Sequence, residues 1–371
     1  MPDLIYKIGI GLIPGIGDII AKKLIAYCGG AEAVFREKKG ALMKIPGIGK
    51  GLAQAISLQD VLKKAEKEID FIHRHKISYA YYLDDNYPRR LTNCPDSPVI
   101  FFYKGAVDFN HPKIASIVGT RQATPHGKDL CNRLVDDLCR RNHHPVIVSG
   151  LAYGIDICAH RAALRNHLPT IAVLGHGMSQ IYPAAHAETA REIVREGGAL
   201  LTEFLSDSPI DRNNFIRRNR LIAGLSDFTA VVESGQKGGA LVTADIANSY
   251  NRDVFAFPGR LSDTYSAGCN WLIKTHRAAL LQSVEDIEYL MNWDREVAGG
   301  KTAAPVQPEI FPPLSPQEEN VLKRLREIKE SSIDELCFSL KMPVSEVSII
   351  LLNLELAGSV RSLPGKLYQA V

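Results

Sequence analysis

The chain is 371 residues long with 46% hydrophobic and 23% charged residues, which indicates a globular protein of two or three domains and excludes disordered or fibrous classes. Its formal charge of +3 excludes a protein that coats nucleic acid by bulk charge, so any such site must be a local patch. The seven cysteines (28, 94, 131, 139, 158, 269 and 337) never fall as CxxC, no stretch approaches the ~18 apolar residues of a membrane span, and no basic region precedes an apolar run at the start. The expectation is a cytoplasmic protein with reduced cysteines, no metal and no membrane contact.

In chain order, residues 1–76 read as helical and carry an internal repeat. Ile13-Pro14-Gly15-Ile16-Gly17 recurs as Ile45-Pro46-Gly47-Ile48-Gly49, each with an alanine four residues on (Ala21, Ala53). This resembles the helix-hairpin-helix motif (a SAM-like module), in which glycines bring backbone N–H groups close to a phosphate. Residues 1–68 hold 11 lysines and arginines against 7 acids, yet the same turns also serve as scaffold between packed helices. A charged helix (Leu62 to Lys76) and a proline-bearing, turn-rich stretch (Asp84 to Pro98) follow.

From Lys113 onward, short apolar runs alternate with helical segments: Ile114–Val118, Val146–Val148, Thr170–Leu174, Ala199–Thr202, Phe228–Val232, Val254–Ala256 and Ala279–Leu281. Continuous apolar runs without period-two alternation are buried parallel strands, with helices as crossovers. The fold class is therefore α/β, an extended Rossmann-type doubly wound sheet over 77–293. Residues 294–315, with four prolines and two adjacent glycines, read as a linker. Three helical patterns (Pro316–Lys329, Ile333–Lys341, Val344–Ala357) and a hairpin turning at Pro364-Gly365 make 316–371 a winged helix. Its Pro343–Val360 segment has no lysine or arginine and carries Glu346 and Glu355, so packing or protein contact is expected of it rather than DNA reading.

Ligands of open parallel sheets bind beyond the carboxyl ends of the strands. There stand Gly119-Thr120-Arg121, lacking GxGxxG spacing but adding a planar fork for phosphate; Ser149-Gly150; and Gly175-His176-Gly177. Asp156 and His160, four apart on one helix, suggest a structural pair or cap. Ser149 lacks GxSxG flanks, and His126, His160, His176 and His186 lack ligand spacing, so neither a hydrolase nor a metal centre is expected. The densest stretch runs from Asn213 to Thr243. Arg212, Arg217, Arg218 and Arg220 surround Phe215, and a strand leads to the Gly238-Gly239 turn. Stacking on an aromatic beside cations suits single-stranded nucleic acid of any sequence; the bland alternative has Phe215 in the core and arginines paired with Glu203, Asp207 or Asp211.

In order from Ser116 to Ile273, SIVGTRQAT, VSGLAYGIDICAH, IAVLGHGM with IYP, NFIRRNRLIAGLSD, VVES with KGGALVTA, and FAFPGRLSD with SAGCNWLI resemble the DNA-processing protein A family (DprA, also called Smf) of bacterial natural transformation. The resemblance implies a homodimeric, non-enzymatic protein without a cofactor that binds and protects single-stranded DNA and loads RecA recombinase. Carried over residue by residue, it implies DNA contacts at Gly119, Thr120, Arg121, Gly150, Arg212, Phe215, Arg217, Arg218, Asn219, Arg220, Gly238 and Gly239. A second, distant resemblance is to the LOG-family nucleotide phosphoribohydrolases, through Glu233, Gly238, Gly239 and Thr243. The PGGxGTxxE spacing is absent, since ALVTAD follows the glycines.

Overall fold

The computed structural model describes residues 3–58, 60–293 and 314–371; most of the expected linker, at 294–313, lies outside them. Six helices open the chain: α1 (Leu4–Ile10), α2 (Asp18–Cys28), α3 (Ala31–Arg36), α4 (Lys39–Leu42), α5 (Lys50–Leu58) and α6 (Leu62–His75). In both repeats the first glycine is left-handed (φ 81 at Gly15, 89 at Gly47), a conformation a β-carbon would penalise, and the chain reverses there. Ile13, Ile16, Ile45 and Ile48 are buried and share one core with Ile72 and with Tyr81, Ile100 and Phe102 at the edge of the sheet.

The two turns then diverge at the residue that opens each following helix. Asp18 accepts a hydrogen bond from the Val99 amide at 3.0 Å and pairs with Arg220 at 3.1 Å, so the first turn is tied to the sheet. Lys50 and Gly47 in the second turn are exposed.

Nine strands form the main sheet: β1 (Ser78–Tyr81), β2 (Ile100–Gly105), β3 (Ile114–Val118), β4 (Val146–Ser149), β5 (Thr170–Val173), β6 (Ala199–Thr202), β7 (Phe228–Val231), β8 (Asp253–Ala256) and β9 (Ala279–Leu280). Their spatial order is β1-β2-β6-β5-β4-β3-β7-β8-β9. The seven strands from β3 to β9 are parallel and fall within one residue of the apolar runs named above. β1 and β2, which the sequence reading lacks, add an antiparallel edge and make the sheet mixed.

The crossovers are α8 (Pro125–Arg140), α9 (Ile155–Arg165), α10 (Ala187–Arg195), α11 (Arg212–Leu225), α12 (Gly239–Ser249) and α13 (Ala267–Lys274); α14 (Val284–Met291) follows β9, and a short α7 (Arg89–Thr92) lies between β1 and β2. Apolar residues of α8, α9 and α14 pack on one face, and those of α11, α12 and α13 on the other. Strand order reverses at β3, with β4 to β6 on one side and β7 to β9 on the other. The loops leaving β3 and β7 therefore part toward opposite faces and open a crevice.

The remaining chain forms α15 (Pro316–Ile328), β10 (Glu330–Ser332), α16 (Ile333–Leu340), α17 (Val344–Leu356), β11 (Val360–Leu363) and β12 (Leu367–Ala370). It is a winged helix with its own core around Val321, Leu325, Leu336, Val347 and Leu351.

Candidate functional site

The crevice holds a pocket of about 480 Å³ with three walls: Gly119, Thr120 and Arg121 after β3; Arg212, Phe215 and Asn219 from the first turns of α11; and Lys237, Gly238 and Gly239 at the start of α12. The sequence builds each wall for a physical reason. Thr124 caps α8, its hydroxyl accepting from the Gly127 amide at 3.0 Å, while its own amide and hydroxyl donate to the Glu233 carboxylate at 2.9 and 2.5 Å. The Thr120 amide adds a bond to the Glu233 carbonyl at 2.7 Å, so the loop after β3 is clamped to the end of β7. A β-carbon on Gly119 would lie 2.5 Å from Ile155 Cγ1, so glycine is needed for this close approach. At the third wall Gly238 precedes the 11-residue helix α12, whose N–H groups and dipole favour an anion.

Asp211 caps α11, its carboxylate accepting from the Asn213 amide at 2.6 Å, and this sets the helix so that Phe215 faces the opening. Phe215 sits against Gly175 and 5.7 Å from the Tyr182 ring. The Arg121 guanidinium lies 5.7 Å from the Phe215 ring centroid, across the pocket, and Arg218 lies 6.0 Å from the same centroid. Arg121, Arg212 and Lys237 are exposed and make no salt bridge among the described residues. Three free cations and an aromatic face thus meet at one opening.

Arg218 lies beneath it, buried, donating to the Gly150 carbonyl at 2.7 Å and to the Val173 carbonyl. Burial lowers its guanidinium to about 10, against the pull of Asp156, so it remains charged at neutral pH. Burial likewise raises the Asp156 carboxyl, while Arg218 opposes that rise. Gly150 belongs to this buried layer rather than to the wall, because a β-carbon there would collide with the Arg218 guanidinium and the Asp156 carboxylate. The expected Asp156–His160 pair is corrected: His160 bonds Thr170 Oγ1 at 2.7 Å, and burial drives its imidazole down to about 3, so it is neutral. A buried carboxylate needs a cation, and Arg218 supplies it where a neutral imidazole does not.

Arg217 and Arg220 are committed elsewhere. Arg220, 7% exposed, donates to Glu203 at 2.5 Å, to Asp18 at 3.1 Å and to the Asp96 carbonyl. Arg217 reaches Glu203 at 2.7 Å with half its side chain in solvent. Of the acids near in sequence, Glu203 is thus the partner; Asp18 comes from the first IPGIG turn, where no local signal points to it. The cluster ties α2 to α11, and neither arginine lines the pocket.

The remaining sequence candidates are structural. The Ser149 hydroxyl donates to the Ile117 carbonyl at 2.6 Å, and His176 accepts from the Tyr182 amide at 3.1 Å while its Nδ1 bonds the Gly177 carbonyl at 2.8 Å. Among the described residues no His, Cys, Asp and Glu side chains cluster as a metal site would require, and no helix is long and apolar enough to cross a membrane. Two charged lining residues, Lys237 and Asp156, are missed by the sequence reading of the site. Lys237 was findable, since it precedes the glycine pair of a strand-to-helix turn. Asp156 carried no usable local signal, because its partner lies on a distant helix.

Comparison with known proteins bears on this site. Residues 78–292 match the family described as DNA recombination-mediator protein A, and residues 303–366 match the DprA winged helix domain. A Synechocystis protein named Smf is 31% identical over 98% of both chains. The crystal structure of DNA processing protein A from Streptococcus pneumoniae aligns with a TM-score of 0.65 at 33% identity, covering 77% of this chain and 97% of that one. A structure from Helicobacter pylori, whose title describes a single-stranded DNA binding mode of DNA processing protein A, aligns with a TM-score of 0.53 at 28% identity, covering 59% and 97%.

Proposed function

The chain belongs to the DNA recombination-mediator protein A family, and from that premise we propose that it binds single-stranded DNA at the strand-end pocket, without catalysis of its own. The observation that carries this reading is the pair formed across the opening by Arg121 and Phe215, a free guanidinium 5.7 Å from a partly exposed ring. A base stacks on Phe215 while its phosphates meet Arg121, Arg212 and the amides of Gly119, Thr120, Gly238 and Gly239. Asn219 supplies an amide at the wall. Arg218 adds buried positive charge below, held by Gly150 and Asp156, and Arg217 and Arg220 hold the wall in place. Stacking and charge both tolerate any base, so binding is independent of sequence.

The wider reading is a cytoplasmic homodimer that shields incoming strands and loads RecA recombinase onto them. It follows the family and rests on the family alone. The phosphoribohydrolase reading loses its carboxylate: both Glu233 oxygens accept from Thr124, 6% of the residue is exposed, and the group faces the loop rather than the pocket. Titration with oligothymidine over a range of salt, beside an assay for base release from nucleoside monophosphates, separates the two. Salt-sensitive binding without release is the expected result, and turnover would replace it with the enzyme.

A further inference from the structure

Arg121 borders two cavities. Its pocket side is described above; its other side opens on a groove of about 530 Å³ between α8 and α9. Lys128 of α8 and Arg161 and Arg165 of α9 line that groove, and Arg161 and Arg165 are four residues apart and so share a helix face. Arg165 reaches the Asn132 amide oxygen at 3.1 Å and Asp136 at 3.7 Å. Lys128 and Arg161 are exposed and make no salt bridge among the described residues. Tyr153 stands in the same groove, 49% exposed, its ring edge-on to the buried His186 at 4.8 Å. Nothing in the site above uses these side chains. Neighbouring cations on one helix face repel each other unless an anion joins them. These are spread over two helices instead of converging on one point, which suits successive phosphates of a polymer better than a single free anion.

We infer that the strand bound in the pocket continues over Arg121 into this groove, with its phosphates on Lys128, Arg161 and Arg165 and a base against Tyr153. The inference rests on the single-strand reading of the pocket, and the two fail differently. The test is the double variant Lys128→Ala/Arg161→Ala, titrated against wild type with oligothymidines of about 4 and about 16 nucleotides, the span of known single-strand site sizes. The short oligomer, confined to the pocket, should bind both proteins alike. The long one should bind the variant about tenfold more weakly, with a salt slope flatter by about 1.4, two lost phosphate contacts at about 0.7 each. Equal affinity and slope for the long oligomer would overturn the groove while leaving the pocket. Equal losses for both lengths would also overturn it, since the cations would then act on the pocket at a distance. Wild type binding neither oligomer would overturn the pocket itself.

A second measurement needs no charge variant. Cys158, half-buried in the groove, should be protected from alkylation by the long oligomer and left unprotected by the short one, as followed by peptide mass spectrometry. Equal alkylation rates with and without the long oligomer overturn the inference. Tyr153→Ala should weaken the long oligomer alone, and Tyr153→Phe, which keeps the stacking face, should not.

Discussion

Arg212 and Arg220 stand about two turns apart on α11 and meet opposite surroundings. Arg212 is exposed at the rim of the pocket and makes no salt bridge among the described residues; Arg220 is buried and shared among Glu203, Asp18 and a backbone carbonyl. The contrast follows from the cost of burying charge. A guanidinium taken out of water has to be neutralised and hydrogen-bonded on the spot, whereas one left in water stays free for a ligand. The arginine density of NNFIRRNR therefore overstates its contact with a polyanion. Part of it serves the ligand and part holds the helix to its neighbours.

The largest effect should come from the buried side of this contrast. Arg220→Ala leaves Glu203, whose side chain is 1% exposed, with the half-exposed Arg217 as its closest remaining cation. Breaking a buried pair costs about 3–5 kcal/mol, and denaturant unfolding should register it. Oligothymidine affinity should hold where the variant remains folded. A variant as stable as wild type but weak in binding would reverse the assignment.

Next comes Phe215→Ala, which removes the stacking face and should cost about 1–3 kcal/mol of oligothymidine affinity. Its salt slope should match wild type, because no charge is lost. Arg121→Ala should cost about tenfold, about 1.4 kcal/mol, and should flatten the slope by about 0.7. Together the two variants separate stacking from charge at one opening. Identical slopes for wild type and Arg121→Ala would remove Arg121 from the phosphates.

The legible parts of the molecule are those set by local chemistry. Strands such as Ile114–Val118 are buried on both faces, so their apolar runs stand out, and the glycine loops follow where the runs end. β1 and β2 were hidden because their pairing depends on β6, far along the chain, and because a turn-rich stretch separates them. At the site, Arg121, Phe215 and the glycine turn could be read directly, since strand-end loops converge in this topology. The partners of the arginines could not. Asp18 meets Arg220 because one IPGIG turn docks on the sheet, and Asp156 meets Arg218 because two crossovers share the crevice floor. Both are tertiary facts with no counterpart in spacing.

The smallest effect is expected from removing the winged helix, and its position explains why. Its Gly365 amide donates to the Asn251 carbonyl at 3.2 Å, and Glu330 meets Arg89 at 3.4 Å. Asn251 lies just before β8, so the module sits at the amino ends of the strands, while the pocket opens at their carboxyl ends. A strand of four residues spans about 13 Å, enough to separate two contacts on opposite edges of the sheet. Nor does its surface resemble the pocket: α17 exposes Ile349 (61%), Leu352 (56%) and Leu356 (70%), and Phe338 before it is 89% exposed. A face of that kind suits protein contact and offers a phosphate nothing. Deleting residues 316–371 should leave oligothymidine affinity within a factor of a few of wild type. A loss of tenfold or more, about 1.4 kcal/mol, would mean that the module reaches the strand despite its place at the far edge.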